Sequence, residues 1–112
     1  MYNVIVADDE KNIREGIVEL IEWEKLGCKV CASMQNGAQV LKYLEEEKIH
    51  VDIIITDIKM PIMDGMELIG MLNERFPDIK VIILTAYSDF TYAQQAIKFQ
   101  VSEFCSEKRV FF

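Results

Sequence analysis

The chain has 112 residues, 51% hydrophobic and 28% charged, with 12 basic side chains against 19 acidic ones. That length allows one domain around one core, and 2 Pro with 5 Gly exclude collagen-like and low-complexity chains. A net charge of −7 argues against direct contact with nucleic acid, which needs clustered Lys and Arg. Apolar runs such as Val81–Leu84 fall far short of the ~20 residues of a membrane helix. Asp8, Asp9 and Glu10 interrupt any signal-peptide pattern, so the expectation is a soluble, cytoplasmic domain. An odd count of 3 Cys without a secretion signal points to reduced thiols. Cys28 and Cys31 form a C-x-x-C, but the one His, His50, leaves a metal reading without further ligands. In a strand the two thiols would face opposite sides of a sheet.

The elements alternate along the chain. Val4-Ile5-Val6-Ala7 is a continuous apolar run, as in a strand covered on both faces. Ile13, Ile17, Leu20 and Ile21 follow at helical spacing, and Gly27 ends that segment. A second strand is predicted at Cys28–Ser33 and a helix from Gly37 to Lys48 around Val40, Leu41 and Leu44. Val51–Thr56 reads as a third strand. Pro61, Asp64 and Gly65 mark a loop before a helix opening with Met66, Leu68 and Ile69. Pro77 closes that helix, and Lys80–Thr85 is the fourth strand. A short helix over Phe90–Phe99 and a fifth strand near Val101–Ser106 complete the pattern. Five βα steps imply a parallel sheet with helices on both faces, and no room for a fifth helix follows Lys108-Arg109-Val110-Phe111-Phe112. The sheet face left bare predicts a partner surface, a homodimer or an exchanged segment.

Parallel sheets of this kind bind ligands beyond the carboxyl ends of their strands. Asp8 and Asp9 follow the first strand and Asp57 the third, so adjacent strands would bring three carboxylates together. Two like charges about 4 Å apart repel by roughly 4 kcal/mol at an effective dielectric near 20. Such a cluster needs a proton, a base or a cation, and a hard divalent ion such as Mg²⁺ answers the need economically. Taken singly, Asp9 or Glu10 could simply cap the first helix. Thr85 and the amide of Ala86, after the fourth strand, could bind a phosphoryl oxygen on Asp57, or Thr85 could be an ordinary β-branched strand end.

The stretches Val4-Ile5-Val6-Ala7-Asp8-Asp9-Glu10, Ile55-Thr56-Asp57-Ile58-Lys59-Met60-Pro61-Ile62-Met63-Asp64-Gly65 and Val81-Ile82-Ile83-Leu84-Thr85-Ala86-Tyr87 resemble a response-regulator receiver domain. Ile21-Glu22-Trp23-Glu24-Lys25-Leu26-Gly27 and Tyr87-Ser88-Asp89-Phe90 with Tyr92-Ala93 resemble the subclass joined to an AraC-type DNA-binding output. The resemblance implies a doubly wound, flavodoxin-like sheet of five strands in the order 2-1-3-4-5. It covers 1–112 as one receiver domain, without the final helix and without an output domain. It implies a phosphoacceptor for a sensor histidine kinase rather than an enzyme in its own right. Asp57 would accept the phosphoryl group. Asp9, Asp57 and the backbone carbonyl of Lys59 would hold Mg²⁺, with Asp8 acting mostly through water. Thr85 would move toward the phosphoryl oxygen and Phe104 would be the aromatic whose rotamer follows it, switching the surface near the fourth helix and fifth strand.

The chain departs from this pattern at its end. Receivers carry a lysine at the end of the fifth strand, and counting from Thr85 and Phe104 that position is Glu107. Lys108 comes one residue late, and a one-residue slip turns a side chain to the other face unless a bulge restores it. Two other readings compete with the switch: a receiver-like interaction domain that does not switch, and a Mg²⁺-dependent aspartyl phosphatase of the haloacid dehalogenase type. The latter wants a second Asp two residues after its nucleophile, where this chain has Lys59. A flavin-binding module is further off, because three acids would repel a flavin phosphate.

Overall fold

A computed structural model describes residues 1–84, 95 and 97–104 of the chain. Its strands are β1 (Tyr2–Ala7), β2 (Cys28–Met34), β3 (Ile53–Asp57) and β4 (Lys80–Leu84), and its helices are α1 (Lys11–Leu20), α2 (Gly37–Glu46) and α3 (Gly65–Arg75). The four strands form one sheet in the order β2-β1-β3-β4, every pair parallel. Among the described residues this is the predicted order over the first four strands. Most predicted element limits agree to within two residues.

The two faces of the sheet sort the strand residues by parity. Val4 and Val6 of β1, Ile53 and Ile55 of β3, and Ile82 and Leu84 of β4 pack with Ile17 and Ile21 from the α1 region. Ile5, Ala7 and Ile54 point the other way, onto Val40 and Leu41 of α2 and Leu68 and Leu72 of α3. Burial on both faces is why these strands read as unbroken apolar runs rather than alternating ones. In β2 the register slips by one residue, Val4 pairing Val30 and Ile5 pairing Ala32, which leaves Cys31 as the extra residue of a bulge. Cys28 lies in the α1-side core and Cys31 packs against the other, so the two thiols do face opposite sides.

Local chemistry fixes the helix starts. Asn36 caps α2 by accepting a hydrogen bond from the Gln39 amide at 2.9 Å. Asp64 and Glu67 form a capping box at the start of α3. Between α1 and β2 a single 3₁₀ turn, Trp23–Leu26, ends at Gly27 in the left-handed region, φ 75°. Trp23 is buried, its indole Nε1 donating to the Ile17 carbonyl at 3.2 Å. Of the methionines around α3, Met60 is buried and Met63 and Met71 pack against the core, whereas Met66 is exposed.

The C-terminal part departs from expectation. Residues 97–104 are helical, so the strand predicted near Val101–Ser106 is not formed over 101–104. The physical reason is the apolar period. Ile97, Val101 and Phe104 recur at intervals of four and three residues, the spacing of one helix face, and all three are buried in the α1-side core. Phe104 meets Tyr2 edge-on, ring centroids 5.5 Å apart. The face expected to lie bare for want of a final helix is covered in part by this segment. Thr85, Ala86 and the aromatics Tyr87, Phe90 and Tyr92 lie outside the described residues, as do Glu107 and Lys108.

Candidate functional site

β1 and β3 are hydrogen-bonded neighbours, with Ala7 opposite Thr56, so the residues that leave their carboxyl ends meet. Asp8, Asp9 and Asp57 each offer a carboxylate oxygen, and the three oxygens lie within 4.8 Å of one another. Asp8 is buried, 2% exposed, Asp57 is half-buried and Asp9 is exposed. The three acids therefore converge as their positions after the strands predict.

Asp8 carries the electrostatic burden. Burial pushes its carboxyl up to about 6 from the ordinary 3.8, opposed by the hydrogen bond from Glu10 and reinforced by the charges of Asp57, Asp9 and Glu10. Its backbone is held at both ends. The amide donates to the Met34 carbonyl at 3.0 Å, and the carbonyl accepts from Arg14 Nη1 at 2.7 Å. Its Oδ1 accepts from the Glu10 amide at 2.9 Å. Arg14 was not among the residues expected here. The signal was a base in the second turn of the helix that follows two acids, close enough to reach back across the turn.

Asp57 is set by the loop that follows it. Its Oδ1 accepts from the Ile58 amide at 2.8 Å, and the Ile58 carbonyl accepts from the Gly65 amide at 2.7 Å. Gly65 sits so close that a Cβ there would overlap the Asp57 carbonyl oxygen and stand 3.0 Å from Ile58 Cα. Glycine is needed here for space, since no side chain fits between the start of α3 and the end of β3. Within the loop Ile62 adopts φ 68°, a conformation that strains a β-branched residue. Lys59, two residues after Asp57, is exposed in the same loop. Phe104, by contrast, packs on Tyr2 at the opposite end of β1 from Asp8.

Three hard oxygen donors with mutual repulsion, one of them buried, suit a small divalent cation such as Mg²⁺. A parallel α/β sheet ordered 2-1-3-4 with acids crowded beyond β1 and β3 is the flavodoxin-like architecture of receiver proteins. A family model described as the response regulator receiver domain matches residues 4–108, and the chain belongs to that family. It is 37% identical over 114 residues to the transcriptional regulatory protein YesN of Bacillus subtilis strain 168, covering 98% of this chain and 30% of that protein. It is 31% identical over 104 residues to the transcriptional regulatory protein HptR of Staphylococcus aureus strain NCTC 8325, covering 93% of this chain and 40% of that one. The chain thus spans well under half the length of these curated relatives. Among solved structures it is similar to the REC domain of AraT, a response regulator from Geobacillus stearothermophilus, with TM-score 0.77 and 32% identity over 96% of this chain and 98% of that one. A two-component transcriptional regulator AraC from Clostridium phytofermentans shares the fold at TM-score 0.76 and 23% identity, covering 95% and 94% of the two chains. Among the described residues no helix is long and apolar enough to cross a membrane.

Proposed function

We propose that this receiver domain accepts a phosphoryl group on Asp57 from the phosphohistidine of a sensor kinase. The observation that carries the reading is the convergence of Asp8, Asp9 and Asp57 within 4.8 Å. An Asp57 carboxylate oxygen attacks phosphorus, the P–N bond breaks, and the electron pair leaves with the imidazole, which takes up a proton. The product is an acyl phosphate on Asp57. Asp8, Asp9, Asp57 and the backbone carbonyl of Lys59 would hold Mg²⁺, which when bound neutralises charge on the transferring group. The chain's own part is to keep Asp57 half-exposed on a fixed backbone, where an incoming phosphohistidine can approach it. Thr85 and the amide of Ala86 complete the proposal as donors to the phosphoryl oxygens. The output would be the DNA-binding domain of a full-length regulator in the cytoplasm.

The test is intact mass after incubation with acetyl phosphate and Mg²⁺, beside an Asp57→Asn variant. A phosphoryl adduct on the parent alone is expected, and no adduct in a chain that binds Mg²⁺ would refute the acceptor role. A second reading, a receiver fold that accepts phosphate without switching, is favoured by the helical setting of Phe104 against Tyr2. In that reading the proposed coupling from Thr85 to Phe104 is lost, and phosphorylation changes no surface near 97–104. Equal amide exchange there in the phosphorylated and free chains would support it.

A further inference from the structure

The turn between β1 and α1 is built without the usual helix cap. Glu10, at the N-cap position of α1, makes no capping hydrogen bond with its side chain. The turn is held instead through Asp8, whose Oδ1 accepts from the Glu10 amide at 2.9 Å and whose carbonyl accepts from Arg14 Nη1 at 2.7 Å. Arg14 is half-buried, in the second turn of α1, and its guanidinium brings positive charge to a turn that carries Asp8, Asp9 and Glu10. A charged donor makes this the strong kind of hydrogen bond.

We propose that Arg14 is a positioning residue for the divalent cation, acting through the peptide that joins Asp8 to Asp9. Clamping the Asp8 carbonyl fixes the plane of that peptide, and with it the direction in which the Asp9 side chain departs. Asp9 is exposed, so its backbone is what aims its carboxylate toward Asp8 and Asp57. The inference rests on the metal reading above. It also has a distinctive sign. A guanidinium beside a cation site repels the cation, so a role through charge alone predicts that removing Arg14 tightens Mg²⁺ binding. A positioning role predicts that removal weakens binding, despite the repulsion relieved.

The experiment is calorimetric titration of the 112-residue chain with Mg²⁺, for the parent, Arg14→Ala, Arg14→Lys and Asp57→Asn. About tenfold weaker binding is expected for Arg14→Ala, the loss of roughly one charge-assisted hydrogen bond. Arg14→Lys should stay within about threefold of the parent, because the observed contact uses a single nitrogen that an ammonium can replace. If the alanine variant does not fold, Arg14→Gln carries the same expectation, being too short to reach the carbonyl and an equally good helix former. Unchanged or tighter binding in Arg14→Ala, with Asp57→Asn weakened, overturns the Arg14 role and leaves the metal reading standing. Failure of the parent to bind, or equal binding by the parent and Asp57→Asn, overturns the metal reading and the Arg14 role with it.

Discussion

Replacing Gly65 by alanine perturbs the site through the backbone alone. The added Cβ would overlap the Asp57 carbonyl oxygen, and it would stand 3.0 Å from Ile58 Cα and 3.1 Å from the Asp57 carbonyl carbon. Carbon atoms pack comfortably at about 3.5–4.0 Å, and none of these three is the movable end of a side chain. Relief requires the start of α3 to withdraw from the end of β3, which breaks the 2.7 Å hydrogen bond from the Gly65 amide to the Ile58 carbonyl. Overpacking costs about 1–3 kcal/mol and the lost hydrogen bond about 1 kcal/mol. The better helix propensity of alanine returns up to about 1 kcal/mol. The expected net loss is about 2 kcal/mol, a fall of roughly 10 °C in melting temperature for a domain of this size. Mg²⁺ binding should weaken too, because the Asp57 backbone must move. Urea unfolding and Mg²⁺ titration of Gly65→Ala read both effects. Gly70→Ala, also in α3 and with nothing within 4 Å of its added Cβ, is the control and should gain about 0.5–1 kcal/mol. A Gly65→Ala chain within 0.5 kcal/mol of the parent and equal in Mg²⁺ affinity would refute the reasoning.

Three further outcomes are expected. Asp8, pushed up to about 6 from 3.8 by burial, holds a proton in the folded chain between those values that the unfolded chain has already lost. Metal-free stability therefore falls as pH rises through that window, by on the order of 3 kcal/mol in full above pH 6. Asp8→Asn should lose this slope and be the more stable chain at pH 7, and parallel unfolding curves from pH 4 to 7 would contradict the assignment. Ile62, 83% exposed at φ 68°, loses little packing on replacement. Ile62→Asn should stabilise by about 1 kcal/mol in urea, and a loss of stability would mean that the strain is absent. Phe104→Ala should cost about 3 kcal/mol while leaving the yield of the Asp57 adduct unchanged. An unaffected melting temperature would place Phe104 outside the core.

Much of the fold was legible because burial on both faces leaves a local mark. Val4–Ala7 and Ile53–Ile55 are apolar without interruption, which only a doubly covered strand requires. The acids that form the candidate site could be found by their place after those strands, and the pairing of β1 with β3 brings them together. The last segment was misread for a definable reason. Continuing the alternation of strands and helices placed a strand near Val101–Ser106, whereas the spacing of Ile97, Val101 and Phe104 already carried a helix period.

Residue types in order thus determined the sheet, its alternation with helices and the identity of the acids. Tertiary structure alone decided how those acids differ. Asp8 is buried beneath the β1–α1 turn while Asp9 is exposed beside it, so neighbours in sequence have opposite surroundings. The same holds for Arg14 and Gly65, whose roles lie in a carbonyl reached across a turn and a gap too small for a methyl group. Periodicity reports which face of an element is covered. Distances between elements depend on how those faces are stacked, and that is fixed only when the whole core packs.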